Sequence, residues 1–162
     1  VIEAVRIPVG KGFYDNLEET LNYALRARGK FHSYIQSDTL SIDIDKKGFL
    51  LNVEISIPKD KWAIDEAMTL PKKAPPSNIR FLDYRLNIAG ESYITNAGKN
   101  CLRIRFSADS QVRTYEIAKD LLADVNLVSE LAGLWILNIS DDYGFKGEMA
   151  FRKGAKPDAG KQ

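Results

Sequence analysis

Apolar and polar residues alternate most regularly in the middle of the chain. From Leu40 to Ile57 the sequence is LSIDIDKKGFLLNVEISI. Leu40, Ile42 and Ile44 alternate with Ser41, Asp43 and Asp45, the period of two that buries one strand face and leaves the other wet. Lys46-Lys47-Gly48 supplies a turn. Phe49, Leu51, Val53, Ile55 and Ile57 then resume the alternation until Pro58 removes the next ladder donor. The pattern predicts a β-hairpin with a three-residue connection.

The same pattern returns 81 residues later. Leu121 to Ile139 reads LLADVNLVSELAGLWILNI, and the two stretches overlay without a gap, Leu40 on Leu121, Asp43 on Asp124 and Ile55 on Ile136. The correspondence extends outward, with Ile7 on Ile88, Leu21 on Leu102, Tyr34 on Tyr115, Asp60 on Asp141 and Pro76 on Pro157. About thirteen identities over roughly 78 positions, in matching buried phase, point to an internal duplication.

Around these hairpins the alternation predicts further strands at 1–9, Thr20–Arg26, Phe31–Ser37, Ile79–Ile88, Cys101–Phe106 and Val112–Ala118. Gly10-Lys11-Gly12 reads as a loop, Phe13–Glu19 as a turn or one helical turn, and Arg26–Lys30 as a basic hairpin turn. In Lys59–Asn78 the strand pattern breaks, and Trp62, Ile64, Ala67 and Met68 suit the apolar side of a short helix, with Trp62 sealing the end of the core. Gly90–Asn100 reads as a polar connection.

The expected fold is therefore all-β with one or two short helical segments. It is an antiparallel sandwich or flattened barrel built from two tandem five-stranded repeats with pseudo-twofold symmetry. Residues 1–78 hold the first repeat and its Pro-rich connection, 79–151 the second repeat and a capping segment, and 152–162 a basic tail that frays. One repeat alone is near the lower size limit for stability, so the two are expected to share one core.

Composition narrows the functional classes. The chain has 162 residues, 44% of them hydrophobic, and a net charge of +1. That is globular, and it gives no global electrostatic case for nucleic acid or anionic membrane. No apolar run is long enough to span a bilayer. The single cysteine, Cys101, excludes an intrachain disulfide and fits a reducing, cytoplasmic compartment. The start at Val1 rather than Met leaves a removed leader open.

Both repeats also carry elements of a longer pattern. The first has Tyr14-Asp15, Thr20-Leu21, Tyr23, Asp43, Asp45, Gly48, Leu50 and Val53-Glu54-Ile55. The second has Asn96, Leu102, Ile104, Asp124, Leu131-Ala132-Gly133-Leu134 and Ile136. These resemble a small bacterial all-β domain family of unknown function with the pattern Y-D-x-x-x-D-x-L-y-I … D-x-D-x-x-G-x-L-x-G-I-E-I-L. The second repeat departs from it where Trp135 replaces Glu54 and Ser129 replaces Gly48. The resemblance implies a small β-module and names no catalytic residue.

Chemistry-bearing clusters are few. No cofactor or metal is expected, because no ligand spacing surrounds His32, the only histidine. Asp43 and Asp45, with Asp38 and Glu54, form the densest carboxylate group; they read as a solvated face rather than a Ca²⁺ site or acid–base pair. Leu131, Gly133, Trp135, Leu137 and Ile139 share one face of a strand whose other face is also apolar. That face needs a cover, either the capping segment Tyr143–Phe151 or a second subunit.

The first expectation is thus a non-enzymatic protein-interaction or assembly module. It would meet a homo-oligomeric or other protein partner through Leu131, Trp135, Leu137 and Ile139. The alternative is a small-ligand-binding protein or enzyme with a pocket between the repeats near His32, Tyr34, Tyr115 and Trp135. A weaker one is a nucleic-acid binder through an arginine stripe of Arg85, Arg103, Arg105 and Arg113.

Overall fold

The computed structural model describes residues 6–26, 29–72, 74–82 and 85–142. Strand is nearly the only regular structure among them. The strands are β1 (Gly10–Asp15), β2 (Thr20–Leu25), β3 (Phe31–Gln36), β4 (Leu40–Asp45), β5 (Leu50–Ile55), β6 (Ala63–Ile64) and β7 (Leu86–Asn87). They continue with β8 (Ser92–Thr95), β9 (Leu102–Arg105), β10 (Val112–Ala118), β11 (Leu121–Asn126), β12 (Leu131–Ile136) and β13 (Ser140–Asp142). Two sheets result, ordered β13-β1-β2-β5-β4-β3-β7 and β10-β11-β12-β9-β8-β6. They do not close on one another, so the fold is a sandwich and not a barrel.

The duplication is explicit in the strand order. The first repeat runs β1-β2-β5-β4-β3 and the second β8-β9-β12-β11-β10, the same order with each strand displaced by 81 residues. Between the sheets lies one core, to which Leu21, Tyr23, Ile42, Val53 and Ile55 contribute from one repeat and Leu102, Ile104, Leu121, Leu134 and Ile136 from the other. Each repeat hides the face its twin would leave wet.

The strand after each repeat changes sheets. β6, following the first repeat, pairs in parallel with β8 of the second, Ala63 opposite Ile94. β13, following the second, pairs in parallel with β1 of the first, Ser140 opposite Phe13. Since Phe13 and Ile94 are equivalent positions, the exchange is reciprocal. A third parallel pair, β7 on β3, makes the sheets mixed rather than purely antiparallel.

Several expected boundaries move. Gly10–Gly12 is not a loop but the start of β1, and Phe13–Asp15 completes that strand instead of forming a helical turn. Residues 6–9 form no strand, and 1–5 lie outside the described residues. Arg26–Lys30 is not a hairpin turn: β2 pairs with β1 and β5, and β3 with β4 and β7. In place of the helix around Trp62 there is a single 3-10 turn, Lys59–Lys61, followed by β6. Trp62 itself is buried, edge-on to Tyr14 at 5.6 Å, with its Nε1 donating to the Ile57 carbonyl. The strand expected over Ile79–Ile88 shrinks to Leu86–Asn87, and Leu82 is 80% exposed. Gly90–Asn100, read as a connection, contains β8. The capping segment Tyr143–Phe151 and the tail 152–162 lie outside the described residues.

β-Bulges explain the remaining shifts of phase. In β4–β5 the register slips between Asp43 and Ile44, which pair with Asn52 and Leu50 and leave Leu51 extra. In β11–β12 it slips at the equivalent place and leaves Ala132 extra. Each bulge turns inward a residue that strict alternation puts outside, Leu50 and Leu131.

Candidate functional site

Among the described residues, four arrangements of chemistry-bearing side chains stand out, and one of them surrounds a hollow. It is a cavity of about 730 Å³ on the flank where the β3–β7 side of one sheet neighbours the β10 edge of the other. The inter-repeat segment spans this flank. Ser77 donates its amide to the Glu116 carbonyl on β10 and the Glu116 amide donates to Pro75, while Ile88 donates to Gln36 on β3. Between these anchors the Phe81 amide donates to the Gly48 carbonyl at 2.7 Å, in the β4–β5 turn. Gly48 has φ +92°, and a Cβ there would stand 2.5 Å from the Phe81 carbonyl oxygen. Only glycine permits that approach.

The walls are mostly apolar. Ile35, Ile79, Phe81, Phe106, Val125 and Leu131 supply hydrocarbon or ring surface, and Tyr115 adds a phenol. Among the described residues, further polar groups enter from Ser77, Arg80, Ser129 and Glu130. Volume and lining suit a small molecule with a large apolar body; such sites fall roughly in the range 300–1,000 Å³.

Of the expected ligand residues, Tyr115 lines this cavity, whereas His32 and Tyr34 do not. Register is the reason. In β3 a bulge beside His32 sets Tyr34 opposite Asp43 on the outer face and leaves His32 exposed. In β10 the bulge falls at the far end, so Tyr115 sits opposite Ala123 on the core side. A one-residue difference turns equivalent tyrosines to opposite faces. Sequence reasoning missed Arg80 and Phe81, because the alternation of Leu82, Leu86 and Ile88 reads as a strand, whereas residues 79–82 form none and line the cavity.

The second arrangement occupies the outer face of the second sheet. The Asp124 carboxylate, 2% exposed, accepts from the Thr114 hydroxyl at 2.5 Å, from Trp135 Nε1 at 2.9 Å and from the Arg103 guanidinium at 3.3 Å. Arg103 also lies over the Trp135 ring, 4.6 Å from its centroid. Gly133 makes room: a Cβ there would meet the Ile104 carbonyl at 2.7 Å and crowd Asp124. The face expected to await a partner is therefore largely covered within the chain. Trp135 and Ile139 are 4% and 8% exposed, Leu137 is half-buried, and Leu131 faces the cavity instead. The arginine stripe is broken as well. Arg103 and Arg105 share a face, but Arg113, opposite Val125, belongs to the other, and Arg85 lies ahead of β7.

In the third arrangement Glu91 accepts from Ser37, from Thr39 at 3.2 Å and from Tyr93 at 3.0 Å, joining the repeats. Burial pushes the Glu91 pKa up, but these hydroxyl donors outweigh it and hold the carboxyl below its ordinary value. Burial, with the neighbouring carboxylate, pushes the Tyr93 phenol up. Every carboxylate contact here is spent on tying turn 37–39 to β8, a structural use. Tyr23 makes the counterpart contact from the first repeat, donating to the Lys119 carbonyl at 2.5 Å.

The carboxylates around Asp45 form the fourth. Asp45 Oδ1 accepts from the Lys47 and Phe49 amides, both at 2.9 Å, so this carboxylate closes its own turn. Asp43 lies on the strand face beside Tyr34, Asp38 is exposed in the turn ahead of β4, and Glu54 is exposed on β5. Among the described residues no group of three or more His, Cys, Asp or Glu is placed to hold a metal ion. No helix among them is long and apolar enough to cross a membrane.

No protein-family model and no curated protein matches the chain.

Proposed function

We propose that this protein is a non-catalytic binding module that holds a small, mainly apolar ligand between its two repeats. The observation that carries the proposal is the cavity of about 730 Å³ walled by Ile35, Phe81, Phe106 and Leu131. Its mouth, where Leu82 and Leu86 are exposed, lets a ligand enter, and its apolar floor would gain by exchanging water for hydrocarbon. Assembly through the Trp135 face has less support, because Asp124 and Arg103 already occupy Trp135.

A neutral fluorescent naphthylamine probe tests the proposal. Wild-type protein is expected to bind it saturably at one site, with a rise in thermal midpoint. Leu131→Trp, which fills the cavity, is expected to abolish binding while preserving the fold. Absence of saturable binding by the wild type, or undiminished binding by the filled variant, overturns it.

A further inference from the structure

We infer that the ligand of this cavity is an amphipathic acid, its carboxylate held by Arg80 and its apolar body inside; the inference rests on the cavity reading above. Among the described residues Arg80 is the only cationic side chain in the lining. It is exposed, and neither of the ion pairs found among the described residues uses it. Glu130, the lining's acidic residue, is committed to the β11–β12 turn: its Oε1 accepts from Asn126 Nδ2 and its amide donates to Asn126 Oδ1. An amine on the ligand would have to compete for that carboxylate. An acid would meet a guanidinium that neither of those ion pairs uses, whose fork matches two carboxylate oxygens at once.

Backbone anchoring presents Arg80 at a fixed place. Its neighbour Phe81 is bonded to Gly48, next to Lys46 and Lys47, both exposed at the tip of the β4–β5 turn. Asp45 in that turn is engaged by the Lys47 and Phe49 amides. The opposite turn, whose Ser129 and Glu130 line the cavity, carries Leu127 and Val128 where the first has its lysines, 73% and 71% exposed. One hairpin tip is cationic and its twin is apolar. Neither tip belongs to the cavity lining, but the cationic one stands beside the Gly48–Phe81 bond next to Arg80, where its charge favours an acidic ligand over a neutral or basic one.

Competition of decanoate and decanol against the neutral naphthylamine probe, at pH 7.5 and low salt, tests the inference on the full chain. Decanoate is expected to displace the probe at a concentration about tenfold lower than decanol. Arg80→Gln should erase that preference and leave decanol unchanged, and Arg80→Lys should keep part of it. Equal competition by the two compounds, or a preference that survives in Arg80→Gln, overturns the acid while the cavity stands. A wild type that does not bind the probe takes the cavity reading, and this inference with it.

Discussion

Asp45 and Asn126 do the same work in two turns 81 residues apart. Asn126 Oδ1 accepts from the Val128 and Glu130 amides at 3.1 and 2.8 Å, as Asp45 Oδ1 accepts from Lys47 and Phe49. In each turn a backbone bond also closes the loop, from Gly48 to Asp45 and from Ser129 to Asn126. What the turn requires is a side-chain carbonyl oxygen, not a charge. Asp45→Asn is accordingly expected to change stability by less than about 0.5 kcal/mol, and Asp45→Ala to cost about 1–2 kcal/mol, measured by urea unfolding.

The third residue of these turns separates the copies. Gly48 takes φ +92° freely, whereas Ser129 is held at φ +63° with a Cβ. Ser129→Gly should therefore stabilise the protein by about 0.5–1 kcal/mol. Gly48→Ala should destabilise it by at least about 1–2 kcal/mol, because its Cβ would press on the Phe81 carbonyl. Equal thermal midpoints for wild type and both variants would refute the assignment of strain to Ser129.

The duplication and both central hairpins were legible because Leu40–Ile44 and Leu121–Val125 alternate over enough residues to fix a phase. Four features were not. Parallel partners as short as β6 and β13 have too few residues for a period, and what places them is the edge offered by the other repeat. Bulges at Leu51 and Ala132 reverse the phase of a single residue, so Leu50 and Leu131 read as outward. The apolar face around Trp135 looked unpartnered because Asp124, Arg103 and Thr114 come from three other strands. The cavity lay beyond reach for a similar reason, its walls being drawn from both sheets and from a segment around Phe81 whose alternation reads as a strand.

Glu91 makes the fold sensitive to acid. Its ordinary pKa is 4.5, and in the folded protein the donors Ser37, Tyr93 and Thr39 overcome burial and lower it. A carboxylate with a depressed folded pKa stabilises fully above its unfolded value, and that contribution is lost as pH falls through the folded one. Stability is thus expected to fall below pH about 4.5, with part of the decline due to Glu91. Glu91→Gln should be less stable than wild type at neutral pH and lose less on acidification. Parallel stability-versus-pH curves for the two proteins would show that Glu91 contributes nothing to the slope.

The buried ion pair should be the least forgiving place on the second sheet. Asp124 serves three donors at once, so removing its carboxylate strands a guanidinium, an indole N–H and a hydroxyl together. Breaking a buried pair from one side costs about 3–5 kcal/mol, since the remaining charge keeps its desolvation penalty. Asp124→Leu is expected to lie in that range by urea unfolding. Trp135→Phe keeps most of the packing and forfeits one bond to a charged acceptor, for about 1.5–3 kcal/mol. Adding Arg103→Met to Asp124→Leu removes the stranded charge, and the double variant should be more stable than Asp124→Leu alone. Strictly additive losses in that cycle would mean that Arg103 and Asp124 are neighbours without being partners.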